Sequence, residues 1–435
     1  MPVCSVWLND RSRARCTRMP CDLSRPPRVI DEGCRDSFFE NGELRLSSRR
    51  TSRMLLVLFS TALAVAAAEL CLRLVWTPPS LRSTIAFGPH EYYRVAPLPC
   101  ISGRLASAEY EHSFHHTCQR FRGDRIFTRV RPEGIRARVL LLGDSFAYGL
   151  GVGDAETFAA RLERALPGVE IANTGCNGYG TRDELAVLDL FGEAFRPDLT
   201  ILFFFWNDLE NNLKRTEPSF SLSENGRVQR TDETVAPDFD PMSLWRPAAN
   251  ERRTSGAPYL ALLFKEGLKG FRYRVLGIST RFIRTPEQKE DAWRITRDLL
   301  RLVARRTAEI GSRLLLVSIP SQSRVDPSAV IKHIEPLHYV VEERLSAVCR
   351  ELGIEYLDTR PALVAAFGRG AHLYYYADRH LTAEGHRVVA ETVLPRVQAF
   401  LGAGSSSNDF RVRAISNSTG PGMSGENGLR LHNPG

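Results

Sequence analysis

Five short runs of branched and aromatic residues punctuate residues 135–401: RVLLL (138–142), VEIAN (169–173), LTILFFFW (199–206), RLLLVSI (313–319) and IEYLD (354–358). Their continuous apolar character suits strands buried on both faces, as in a parallel sheet covered by helices. Helical patterns lie between and after them at about 156–166, 181–195, 291–310, 337–351 and 383–401. Such alternation predicts a doubly wound α/β layer structure. Sites in these sheets belong at the carboxyl ends of strands, near the point where strand order reverses.

The first run ends in an unusual way. VLLLGDSFAYGLGV (139–152) passes from buried strand directly into Gly143, Asp144 and Ser145. A serine hydroxyl is a poor nucleophile until a base takes its proton, and that base needs a third group to orient it. Near the far end stands YYYADRHLTAEGHRVVAE, with Asp378 and His380 two residues apart. In an extended loop both side chains project to one side, so Asp378 holds the Nδ1 proton while Nε2 faces the serine. His386 competes for the role but sits inside the last helical pattern, so His380 is preferred. Acyl transfer also needs donors for a developing oxyanion. NTGCNGYGT (173–181) supplies Gly178, FFFWNDLENN (203–212) supplies Asn207, and the Ser145 backbone N–H is a third candidate.

These motifs, in this order and each at a strand end, resemble the SGNH or GDSL hydrolases over residues 135–401. The resemblance implies a three-layer, flavodoxin-like α/β/α fold with a five-stranded parallel sheet and no metal or organic cofactor. It implies Ser145 as nucleophile, His380 as general base, Asp378 as its orienting partner, and Gly178 with Asn207 as oxyanion donors. Two departures stand out. The family usually has a glycine just before the asparagine, where this chain has Phe205 and Trp206. The last motif is often Asp-x-x-His, whereas only Arg379 separates this pair. An α/β-hydrolase elbow, Gly-x-Ser-x-Gly, fails because Ala147 occupies its last position.

The compartment is set by MLLVLFSTALAVAAAELCLRLVW (54–76), in which Glu69 and Arg73 are spaced to pair on one helix face. As a helix it reaches roughly 34 Å, enough to cross a bilayer. Arg45, Arg49, Arg50 and Arg53 precede it, which keeps the N-terminus cytoplasmic and exports the rest to the periplasm or the extracellular side. Cleavage at Ala66-Ala67-Ala68 as a signal peptide, or burial as a core helix, are the rival readings. Net charge is +8, but the arginines are scattered among nearly as many acids, and no nucleic-acid motif is present. Nine cysteines without CxxC pairs argue against structural zinc, and Cys100 with Cys118 fit either one disulfide or two thiols. His112, His115 and His116 lack metal-ligand spacing and read as a surface loop.

The chain therefore divides into a disordered or over-extended N-terminus (1–53), a transmembrane anchor (54–76), a stalk or irregular extension (77–134), a hydrolase domain (135–401) and a disordered tail (402–435). An insert at 208–290 is long enough for a lid or substrate loop, and its basic-apolar part suits lipid head groups, acidic glycan or plain packing. The expected activity is serine esterase, acting on an acetylated glycan, a lipid or a small ester. Two alternatives share the fold: an O-acyl- or acetyltransferase or deacetylase of exported polysaccharide, and a silent glycan-binding subunit.

Overall fold

The computed structural model describes residues 48–90, 95–213, 220–222, 228–230, 256–274, 285–328 and 341–416. Expectations for residues 1–47, for most of 214–255, for 275–284, for the start of the helix expected at 337–351 and for 417–435 lie outside the described residues. The chain divides into two compact units, residues 1–63 and 64–435.

Helix α1 (Ser48–Val75) is the one helix among the described residues that is long and apolar enough to cross a membrane. Met54, Leu55, Phe59, Leu63 and Leu74 along it are exposed. The Glu69–Arg73 pair forms at 2.8 Å. Glu69 also accepts the N–H groups of Tyr259 and Leu260, at 2.8 and 2.9 Å, satisfying two orphan donors in the first turn of a later helix, Tyr259–Arg274.

Residues 77–134 are more ordered than a stalk. Strands β1 (Ile101–Ala106) and β2 (Glu111–His116) form an antiparallel hairpin, and a disulfide joins Cys100 to Cys118 at its base. EHSFHH is thus a strand, not a surface loop. Its inward positions are His112, Phe114 and His116, and histidine in two of them hides the two-residue period that apolar residues would have displayed.

The sheet strands are β3 (Ala137–Gly143), β4 (Val169–Asn173), β5 (Leu199–Phe204), β6 (Arg313–Ser318) and β7 (Glu355–Asp358). All pairings are parallel, in the order β7-β6-β5-β3-β4, so the winding reverses at β3. Alternate side chains feed two cores. Leu140, Leu142, Leu202, Phe204 and Leu316 pack under helices 181–195, 286–309 and 341–352. Val139, Leu141, Ile201, Phe203 and Val317 pack under helices 158–165, 360–368 and 383–416. Burial on both faces explains the unbroken apolar runs.

Three differences from the sequence reading have a clear physical cause. Strand β5 stops at Phe204, because the Phe205 N–H donates to Asp208 Oδ2 at 3.0 Å and so turns the chain. A helix at Arg360–Gly368 is too short and too evenly apolar to carry a clear period. The last helix, Ala383–Ser416, enters the tail expected to be disordered; no glycine or proline between Ser405 and Ser416 interrupts a helix already nucleated.

Candidate active site

Strand β3 delivers Ser145 through a turn that only glycine allows. Gly143 has φ +152°, and a Cβ there would lie 2.6 Å from Ala147 Cβ and 2.9 Å from the Phe203 carbonyl oxygen. Asp144 then caps the short helix α2 (Ser145–Tyr148), its Oδ1 accepting the Phe146 N–H at 2.8 Å. Ser145 sits at the first helical position, 4% exposed.

The base arrives from the other end of the chain. His380 Nε2 lies 2.8 Å from Ser145 Oγ, and His380 Nδ1 lies 2.5 Å from Asp378 Oδ1. The loop that carries them is a turn rather than extended chain. Tyr375 N–H donates to the His380 carbonyl at 2.9 Å, and Arg379 between the two side chains takes φ +71°. That left-handed residue lets an Asp-x-His spacing bring the Asp378 carboxylate onto Nδ1 while Nε2 faces Ser145, and such strain in a non-glycine residue is typical of sites. His386 is fully buried and accepts the Phe158 N–H on Nδ1 at 3.2 Å, so it belongs to the core; burial lowers its pKa to about 3.

Asn207 follows β5, and its Nδ2 donates to Asp144 Oδ2 at 2.9 Å. Asn207 Oδ1 is buried with no hydrogen-bond partner. Behind it lies a set of buried carboxyls. Burial raises the pKa of Asp144, and burial together with neighbouring carboxylates pushes Asp208 and Glu184 well above the ordinary range. Both Glu184 oxygens lack a hydrogen-bond donor. The β4 loop locks onto α2: Asn173 Nδ2 donates to the Ala147 carbonyl at 2.9 Å, and a Cβ on Gly175 would meet the Tyr148 nitrogen at 2.3 Å.

Ser145, Asn207, Asp378 and His380 line one cavity of about 270 Å³. Gly178 does not line it; the preceding residue, Asn177, does. Phe146, Phe205 and Trp206 form its apolar side, with the Phe146 and Phe205 rings 4.1 Å apart. Ser321, Gln322 and Ser323, at and just beyond the start of helix Gln322–Val325, form a polar side. Nothing in the sequence marked these three, because a Ser-Gln-Ser stretch after a strand carries no motif. A larger cavity, about 510 Å³, is lined by Arg122, Asp154 and Glu163 and includes none of the Ser145 set. Among the described residues no group of three or more His, Cys, Asp or Glu side chains is placed to hold a metal ion.

Residues 141–388, more than half of the chain, match the GDSL-like Lipase/Acylhydrolase family. The chain belongs to that family. This GDSL-like acylhydrolase is therefore a hydrolase of ester bonds. Solved structures similar to it include a gut microbial diltiazem-metabolizing enzyme, 14% identical with a TM-score of 0.36, over 62% of this chain and 48% of that one. The chain thus spans about half the length of that protein. A G-D-S-L family member from Veillonella parvula is 13% identical with a TM-score of 0.32, over 59% of this chain and 96% of that one. A catalytic mutant of Axe2, an acetylxylan esterase from Geobacillus stearothermophilus, is 14% identical with a TM-score of 0.33, over 62% and 95% of the two chains. No curated protein sequence matches the chain.

Proposed function

We propose that this acylhydrolase cleaves carboxylic esters with Ser145 as nucleophile, His380 as general base and Asp378 as the group that orients the imidazole. The observation that carries the reading is the continuous relay from Ser145 Oγ through the His380 ring to Asp378, at 2.8 and 2.5 Å. Ser145 Oγ attacks the carbonyl carbon as its proton passes to His380 Nε2, and the carbonyl electron pair moves to oxygen. That oxyanion collapses to expel the alcohol, which leaves with the proton from His380. Water then attacks the acyl-Ser145 ester by the same route and releases the acid. An amide nitrogen carries two hydrogens. Asn207 gives one to Asp144, which leaves one for the oxyanion beside the Ser145 backbone N–H, whereas Gly178, expected as a donor, lies outside the cavity lining.

Phe146 and Phe205 narrow the cavity, which favours a short acyl group such as acetyl. Residues 135–401 form the catalytic domain in this reading, with 208–290 as its insert. Helix α1 anchors the chain with the N-terminus cytoplasmic and the domain outside. The apolar surface of α1, the arginines at 45, 49, 50 and 53, and the Cys100–Cys118 disulfide support that placement. Leu263, Phe264 and Leu268, exposed on the helix that Glu69 caps, suit contact with the same membrane surface.

Turnover of p-nitrophenyl acetate by the full chain in detergent, with fluorophosphonate labelling, tests the assignment. Ser145→Ala lowers kcat by about 10⁴-fold or more and abolishes labelling. Labelling that survives Ser145→Ala places the nucleophile elsewhere. Failure of the wild type to label, beside a serine hydrolase that does, removes the serine chemistry.

A further inference from the structure

The hairpin β1–β2 lies outside the family-matched residues, yet it touches Asp378 and the helix that Ser145 begins. Its tip is a tight turn in which Ser107 Oγ accepts the N–H groups of Glu109 and Tyr110, at 3.0 and 3.2 Å. From that tip Glu109 Oε2 accepts the backbone N–H groups of Ala377 and Asp378, at 2.8 and 2.7 Å. Tyr110 donates its phenolic hydrogen to Asp378 Oδ2 at 3.3 Å, on the carboxylate oxygen not engaged with His380. The Tyr110 ring packs against Tyr375 at 4.9 Å, and Tyr375 Oη donates to the Gly151 carbonyl at 2.8 Å. Further along the hairpin, His112 Nε2 accepts the Gly151 N–H, and His116 Nε2 meets Tyr148 Oη at 2.9 Å, on the helix that Ser145 begins. The Cys100–Cys118 disulfide closes the base of this bridge.

We propose that Glu109 and Tyr110 are positioning residues for the esterase reaction: the disulfide-closed hairpin holds the Asp378 turn in register with the loop that presents Ser145. The inference rests on the Ser145–His380–Asp378 reading. Its physical logic is that a left-handed arginine costs conformational free energy, which contacts from outside the turn help to offset. Glu109 ties down two of its amides, with charge-assisted bonds that are stronger than neutral ones. Tyr110 shares the charge of Asp378 and so sets how strongly that carboxylate favours the imidazolium. Deep burial and the neighbouring Asp378 carboxylate raise the Tyr110 pKa, which keeps the phenol protonated and donating.

The charged and titratable groups around the pair are Glu109, Tyr110 and His112 on the hairpin, Asp144 after β3, Tyr375 and Arg379 on the turn, and His386 on the last helix. Tyr110→Phe changes only one of them and keeps the ring. With one donor removed, Asp378 is more basic and stabilises the imidazolium better. The acid limb of the kcat/KM–pH profile therefore moves upward, by about half a pH unit for loss of a single long hydrogen bond.

The experiment compares full-chain wild type, Tyr110→Phe, Glu109→Ala and Glu109→Gln on p-nitrophenyl acetate across pH, with Ser145→Ala as reference. Glu109→Ala lowers kcat about 10- to 100-fold with KM within about twofold, since a misplaced base impairs chemistry before binding. Glu109→Gln restores most of that loss, because its amide oxygen accepts the same two N–H groups. Two results overturn the inference while Ser145→Ala remains inactive. One is unchanged kcat and pH profile in both Tyr110→Phe and Glu109→Ala. The other is a kcat loss at 109 that Gln leaves unrepaired, with no shift of the acid limb in a normally folded Tyr110→Phe. Activity that persists in Ser145→Ala instead sinks the underlying reading.

Discussion

Asp144→Asn separates activity from stability in this protein. The wild-type carboxylate is fully buried and accepts two hydrogen bonds, from the Phe146 N–H at 2.8 Å and Asn207 Nδ2 at 2.9 Å. Asparagine at 144 keeps the first bond through its oxygen but turns an NH₂ group toward another NH₂ group. The conflict is relieved if the Asn207 amide rotates, because its Oδ1 is buried with no partner and is ready to accept. Both bonds then survive in neutral form. Charge-assisted bonds are worth about 1.5–3 kcal/mol and neutral ones about 0.5–1.5. The variant also no longer buries a carboxylate whose pKa burial already raises. These opposing changes leave stability within about 1 kcal/mol of wild type. The rotation carries Asn207 Nδ2 away from the place proposed for the oxyanion, and loss of one such donor costs about 10²–10³ in kcat. Urea unfolding and ester turnover on the same preparation measure both quantities. Asn207→Ala should lose a similar amount, and the double variant no more than either alone. A kcat within threefold of wild type, or destabilisation well beyond 3 kcal/mol, refutes the idea that Asp144 works by aiming Asn207.

Three further outcomes follow from buried charge and from the cross-link. Glu184 has a folded pKa held well above its ordinary 4.5, mainly by burial, so the native state keeps its proton while the unfolded chain releases it. Its contribution is complete below pH 4.5 and is lost as pH rises toward the folded value, by at most about 1.4 kcal/mol per pH unit. Glu184→Gln should flatten that decline in urea midpoints, and an unchanged slope would assign the proton to another group. Arg138 and Glu170 form a buried ion pair at 2.9 Å, and Glu170→Gln should destabilise by about 3–5 kcal/mol in the same assay; a loss below 1 kcal/mol means that the arginine is satisfied by its backbone partners alone. Replacing Cys100 and Cys118 with serine opens a cross-link spanning 18 residues, and should cost about 3 kcal/mol by thermal or urea unfolding. An unaltered midpoint would mean that the hairpin's other contacts already restrain the chain.

Much of the scaffold is a local property of the chain and was readable there. Leu140 and Leu142 face one core while Val139 and Leu141 face the other, so a strand covered on both sides has to be apolar at every position. Helix Thr181–Phe195 and strand Val169–Asn173 fall on their expected limits because each carries its period within its own residues. Residue type and order likewise marked Ser145, Asn207, Asp378 and His380 as one chemical set. The hairpin was illegible, since histidines occupy the inward places where a strand normally declares itself. Ser321–Ser323 were illegible because their only distinction is the cavity they face.

What the sequence alone determined is the identity of the layers and the inventory of reactive groups at the strand ends. Only the tertiary structure decided that Asn207 leans on Asp144, that a turn with a left-handed Arg379 sets Asp378 against one nitrogen of His380 and Ser145 against the other, and that Glu109 grips a turn 268 residues away. The division has a physical cause. Periodicity is written by the solvent around each short segment, whereas the aim of a side chain is set by distant backbone that the segment meets only after the chain has closed on itself.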